Sequence, residues 1–157
     1  MARDLKILIY GYGNPGRQDD GLGVLLVEQI NTWIELEGYT FIETDSNYQL
    51  NIEDASVINE KDLVIFADAS KEDLEYYSFT EILPDAKVDF TMHHVSPSFV
   101  LHLSQEIYGK IPDTFLIHVK GYEWEFMKEP TKKALDNLNR AIVFLKNYLM
   151  EYITINS

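Results

Sequence analysis

Residues 5–36 read LKILIYGYGNPGRQDDGLGVLLVEQINTWIEL, and three patterns follow one another within them. Leu5 to Tyr10 is a short apolar run that stops at a glycine, as a strand buried in a sheet does. Gly11 to Gly23 (GYGNPGRQDDGLG) is a glycine-rich loop with two aspartates near its end. From Asp19 onward Leu22, Leu25, Leu26, Ile30 and Trp33 recur at helical spacing, which predicts a helix to about Leu36, stopped by Gly38. A strand, a loop and a helix in that order open an α/β unit.

The remainder of the chain keeps alternating. Tyr39 to Glu43 is β-rich and reads as a second strand, and Leu50 to Ile58 as a short helix. Asp62 to Ala67 is a third buried strand that ends at Asp68. Tyr77 to Leu83 alternates and closes at Pro84, which assigns it to a sheet edge. Pro97 suits the first turn of a helix carrying Val100, Leu101 and Leu103, ended by Gly109 and Pro112. Thr114 to Lys120 is a further strand that stops at Gly121. Thr131 caps a last helix, whose apolar face includes Leu135, Leu138, Ile142, Leu145 and Leu149. The expected fold is α/β, with a mostly parallel twisted sheet, an antiparallel edge strand and helices on both faces. With no repeat, linker or low-complexity stretch, residues 1–157 read as a single domain.

Composition narrows the function classes. Twenty-six acidic residues against 13 Lys and Arg give a net charge of −13, which repels nucleic-acid phosphate and anionic lipid. No nucleic-acid or membrane partner is expected. No apolar run approaches the roughly 20 residues of a membrane span, and no small-residue cleavage site follows the N-terminal run, so the expected location is cytoplasmic. Cysteine is absent, which rules out thiolate ligands, disulfides and a cysteine nucleophile.

In such sheets ligands bind beyond the carboxyl ends of the strands. That edge holds the loop after Tyr10, the residues around Asp68 and the segment around Gly121. Gly11, Gly13 and Gly16 spell G-x-G-x-x-G, the dinucleotide pattern. Asp19 and Asp20 argue against it, because they stand where a pyrophosphate needs free N–H groups. One aspartate suffices to cap a helix. Asp19 is therefore assigned to the cap and Asp20 to the cleft, and the glycines around them leave room for another chain to approach.

The pattern G-x-G-N-x-x-x-x-D-[DE]-G-x-G after a first strand resembles the [NiFe]-hydrogenase maturation endopeptidases. The likeness continues in VIFADAS, which carries Asp68, and in Thr91-Met92-His93-His94-Val95-Ser96-Pro97. Tyr48-Gln49-Leu50 with Glu53, and Gly121 to Phe126 (GYEWEF), resemble one branch of the family. Some members carry Glu at the first acidic position, where this chain has the shorter Asp20.

The resemblance implies a three-layer α/β/α sandwich and an endopeptidase that removes the C-terminal peptide of a hydrogenase large-subunit precursor after nickel has been installed. It implies that Asp20, Asp68 and His93 are the catalytic, metal-contacting residues. The nickel would come with the substrate, and no organic cofactor is implied. Two carboxylates and an imidazole suit nickel or zinc, and three ligands leave positions open for water and substrate. The general base stays open.

Alternatives stand beside each assignment. His94 competes with His93, while His102 and His118 read as a helix face and a strand interior. Asp68 alone could be a turn residue. Asn14 would bond its own loop or orient Asp20, and Glu123 and Trp124 would form either a cleft rim or core. Two other functions fit: a hydrolase of the same fold holding its own zinc, and a non-catalytic metal-sensing or chaperone module.

Overall fold

A computed structural model describes residues 4–87 and 95–157. Five strands, β1 (Ile7–Tyr12), β2 (Ile42–Asn47), β3 (Leu63–Ser70), β4 (Tyr77–Glu81) and β5 (Asp113–Lys120), form one sheet in the order β2-β1-β3-β5-β4. All neighbours are parallel except the β4–β5 pair at one edge, as the alternating, proline-ended Tyr77 segment predicts. The helices are α1 (Leu22–Glu37), α2 (Asp54–Ile58), α3 (Pro97–Tyr108) and α4 (Lys132–Asn156).

The pleat divides the strands between two cores. Ile7 and Ile9 of β1, Leu63 and Ile65 of β3, and Ile117 and Val119 of β5 pack against α1 and α4. Leu8, Tyr10, Val64, Phe66 and Leu116 face the other way, against α2 and α3. The result is the expected α/β/α sandwich. Apolar residues fill both faces, so β1 and β3 read as continuous runs rather than alternating ones. Each fully buried Ile or Leu contributes about 2 kcal/mol of transfer free energy.

Local chemistry sets the helix ends. Gly38 and Gly109 close α1 and α3 with φ of 76° and 73°, the left-handed conformation that glycine adopts without a Cβ penalty. Ser96 and Thr131 start α3 and α4, each accepting a hydrogen bond from the backbone N–H three residues on, at 3.1 and 3.3 Å.

Some boundaries differ from expectation. The second strand begins at Ile42, not Tyr39. Tyr39 N still donates to Ile34 O at 3.2 Å, and the rings of Trp33, Tyr39 and Phe41 pack together, so this aromatic stretch closes α1. Only Asp54–Ile58 of the Leu50–Ile58 segment is helical; the buried Leu50 belongs to a turn fixed by Asn51 N donating to Asp54 Oδ2. Strand β3 runs two residues past Asp68. Among the described residues no helix is long and apolar enough to cross a membrane.

Candidate functional site

The chain runs from β1 outward to β2, then returns to place β3 on the other side of β1. This reversal opens a crevice beyond the carboxyl ends of β1 and β3, where α/β sheets bind ligands. A cleft of about 490 Å³ lies there, and both Asp20 and Asp68 line it.

The first loop is built by its glycines. Gly13 has φ of +133°, and a Cβ there would lie 2.2 Å from Asp20 O. A Cβ on Gly11 would meet Gly23 O at 2.3 Å, and one on Gly23 would meet Ala67 O at 2.4 Å. The expectation that these glycines leave room for a partner's chain is thus corrected: the protein's own backbone fills the space. They press the start of α1 onto β1 and β3.

Asp19 and Asp20 sit in a 3-10 turn, Gln18–Gly21, ahead of α1. Asp19 does not cap that helix, whose N-cap is Gly21 with no side-chain bond. Its carboxylate is fully buried and accepts from Tyr122 N (2.8 Å), Glu123 N (3.1 Å), Thr131 N (2.7 Å) and Thr131 Oγ1 (2.9 Å). It ties the first loop to the segment joining β5 to α4. The chain had no local signal for this, because the partners lie more than 100 residues away.

Asp20 faces the cleft as expected. Its Oδ2 accepts from Asn14 N at 2.9 Å, while the Asn14 side chain accepts from Gly16 N at 2.9 Å. Asn14 thus does both jobs, one through its backbone and one through its side chain.

Asp68 lies within β3, on the sheet face that carries Val64 and Phe66. Burial, and then the charge of Asp20, push its carboxyl up to about 8, against a small opposing pull from the Ala69 N–H. Asp68 therefore holds a proton at neutral pH, and a bound cation would displace it. The Tyr12 hydroxyl, also on the cleft, is raised well above its ordinary value by burial and by Asp68, so it remains a neutral donor.

His93, and its competitor His94, lie outside the described residues. Val95, Ser96 and Pro97, which follow them, line the same cleft. Among the described residues no group of three or more His, Asp or Glu side chains is arranged to hold a metal. His118 is a strand residue in register with Asp68, its pKa lowered by burial, and His102 lies on α3 against Phe99. Both match expectation. Tyr48, Gln49, Leu50 and Trp124 line the cleft, whereas Glu123 does not and instead accepts from Gln18 Nε2 at 3.4 Å. Sequence reasoning passed over Tyr12, Arg17 and Lys71, all on the cleft. Their closeness to Gly13, Asp20 and Asp68 in the chain was the available signal.

No protein-family profile and no curated protein sequence matches the chain. Solved structures do. A [NiFe] hydrogenase maturation protease, HycI, from Thermococcus kodakarensis superposes with a TM-score of 0.72 at 22% identity, covering 92% of both chains. The hydrogenase maturating endopeptidase HybD from E. coli gives 0.70 at 20% identity and 94% coverage of both. An E. coli endopeptidase solved in solution gives 0.67 at 23% identity, again covering 94% of both chains. From end to end of its sheet, this chain has the fold of the hydrogenase maturation proteases.

Proposed function

We propose that this protein is a cytoplasmic endopeptidase that removes the C-terminal peptide from a nickel-loaded [NiFe]-hydrogenase large-subunit precursor. The observation that carries the reading is the pairing of Asp20 and Asp68. They arrive from the loop after β1 and from within β3, line one cleft at the topological switch point, and sit in the fold of proteins named as maturation proteases.

In this reading Asp20, Asp68 and His93 contact the nickel that the substrate brings. Asp68 gives up its proton on engagement, and the precursor's scissile bond comes to lie beside the pair. Water adds to the peptide carbonyl carbon, the C–N bond breaks, and a proton passes to the departing amine. A carboxylate acting as base, or the substrate's metal, activates that water. The neutral Tyr12 hydroxyl, on the same cleft, keeps its proton for donation.

The test is incubation of the purified protein with metal-loaded and metal-free precursor, followed by mass analysis of the precursor's C-terminus. Cleavage of the loaded form alone is expected. Tight stoichiometric metal in the isolated protein, with cleavage of metal-free substrate, would overturn the reading in favour of a hydrolase with its own zinc. Binding of the loaded precursor without loss of its peptide would favour a chaperone module.

A further inference from the structure

The cleft is electrically divided. Asp20 and Asp68 line it, and so do Arg17, Lys71 and Trp124. In a chain with twice as many acids as bases, two cations on one cleft need an explanation. Both are held by the same short segment. Arg17 Nε donates to Trp124 O at 3.0 Å, and its guanidinium lies 5.5 Å from the Phe126 ring centroid. Lys71 Nζ lies 4.9 Å from the Trp124 ring centroid.

Neither cation forms an ion pair among the described residues, although Lys61 pairs with Glu43 and Lys128 with Glu125 elsewhere. Arg17 uses Nε on a carbonyl, which leaves the other nitrogens of its fork for a carboxylate. A third positive feature meets them: Ser96 and Pro97, at the N-terminal end of the 12-residue α3, line the same cleft.

We infer that Arg17 and Lys71 form a carboxylate-binding rim that holds the peptide segment next to the scissile bond. This rests on the peptidase reading above and adds to it the substrate's chemistry, a cation for the aspartate pair and a carboxylate for the rim. The carboxylate is either an acidic side chain of the segment or the chain's own C-terminus, and both present the same two oxygens.

The probes are three fluorescein-labelled pentapeptides: one of alternating Ala and Glu with an amidated C-terminus, one of alternating Ala and Gln with a free carboxylate, and the Ala/Gln peptide amidated. Fluorescence polarisation of the full-length protein is expected to favour at least one carboxylate peptide over the neutral amide by about ten-fold. Which one binds identifies the source. Arg17→Gln and Lys71→Gln should each weaken that binding by about three- to ten-fold, with added salt weakening it further. Arg17→Lys keeps the charge and should retain most of the preference. Equal binding of all three peptides by the wild type, or no loss in either Gln variant, would overturn the rim. The two readings fail separately. A carboxylate preference without precursor cleavage removes the peptidase and keeps the rim. Cleavage abolished by Asp20→Ala, with peptide binding indifferent to Arg17 and Lys71, does the reverse.

Discussion

The floor of the first loop and its cleft-facing wall are built from the same residue type at consecutive positions, and they behave as opposites. Asp19, on the floor, accepts four hydrogen bonds from the β5–α4 segment and is closed to solvent. Asp20, on the wall, accepts one backbone hydrogen bond among the described residues and shares a cleft with Asp68. A carboxylate surrounded by donors is committed to holding the fold together. One with a single donor keeps lone pairs for an outside cation. The difference teaches that two adjacent aspartates can be separated by their donors, and that in this D-D-G turn Asp20 is the one the fold leaves free for the proposed chemistry.

The sharpest way to break this contrast is at the partner wall. Asp68→Asn should reduce precursor processing by more than about 100-fold, the size of effect that follows loss of a single preorganised charge-positioning group. Its unfolding midpoint should not fall. Near-wild-type turnover would remove Asp68 from the site. On the floor, Asp19→Ala orphans several buried donors, at about 1–3 kcal/mol each. Thermal unfolding should show a midpoint lower by about 10 °C. A midpoint within about 2 °C of the wild type would show that the β5–α4 segment does not depend on Asp19.

A smaller effect is expected from Gly23→Ala, whose Cβ would press on Ala67 O and Tyr12 O. The first loop must shift off β3, with a cost of about 1–3 kcal/mol by denaturant unfolding. No change would mean that the loop does not need this close approach.

A separate effect concerns pH. The folded carboxyl of Asp68 titrates near 8, against 3.8 for an ordinary aspartate. Below about pH 4 both folded and unfolded chains hold the proton, and the group adds no pH dependence. Between about 4 and 8 only the folded chain holds it, so its contribution to stability declines as pH rises. The stability of the wild type relative to Asp68→Asn should therefore fall across that window and level off above it. A flat difference would show that Asp68 is not held in its acid form.

Much of the fold was legible because its signals are local. Continuous apolar runs marked β1 and β3, and Gly38, Gly109, Pro97 and Thr131 marked helix ends through their own local chemistry. The Tyr39–Phe41 stretch misled, because β-propensity there serves an aromatic plug on α1. That Asp20 and Asp68 would share the cleft was legible from the glycine-rich loop after β1 and from the apolar run that ends at Asp68. Asp19 was not, since its partners at Tyr122, Glu123 and Thr131 come close only when α4 packs beside α1. Arg17 and Lys71 carried only the signal of nearness to Asp20 and Asp68, because the Trp124 contacts that hold them come from far along the chain.

The most direct test of the division between floor and wall is to make Asp20→Asn and Asp19→Asn and to measure both thermal unfolding and processing of nickel-loaded precursor. The account predicts that Asp20→Asn keeps its midpoint and loses processing, whereas Asp19→Asn loses its midpoint because an amide places donors against donors. Equal loss of stability in the two variants, or full processing by Asp20→Asn, would contradict it.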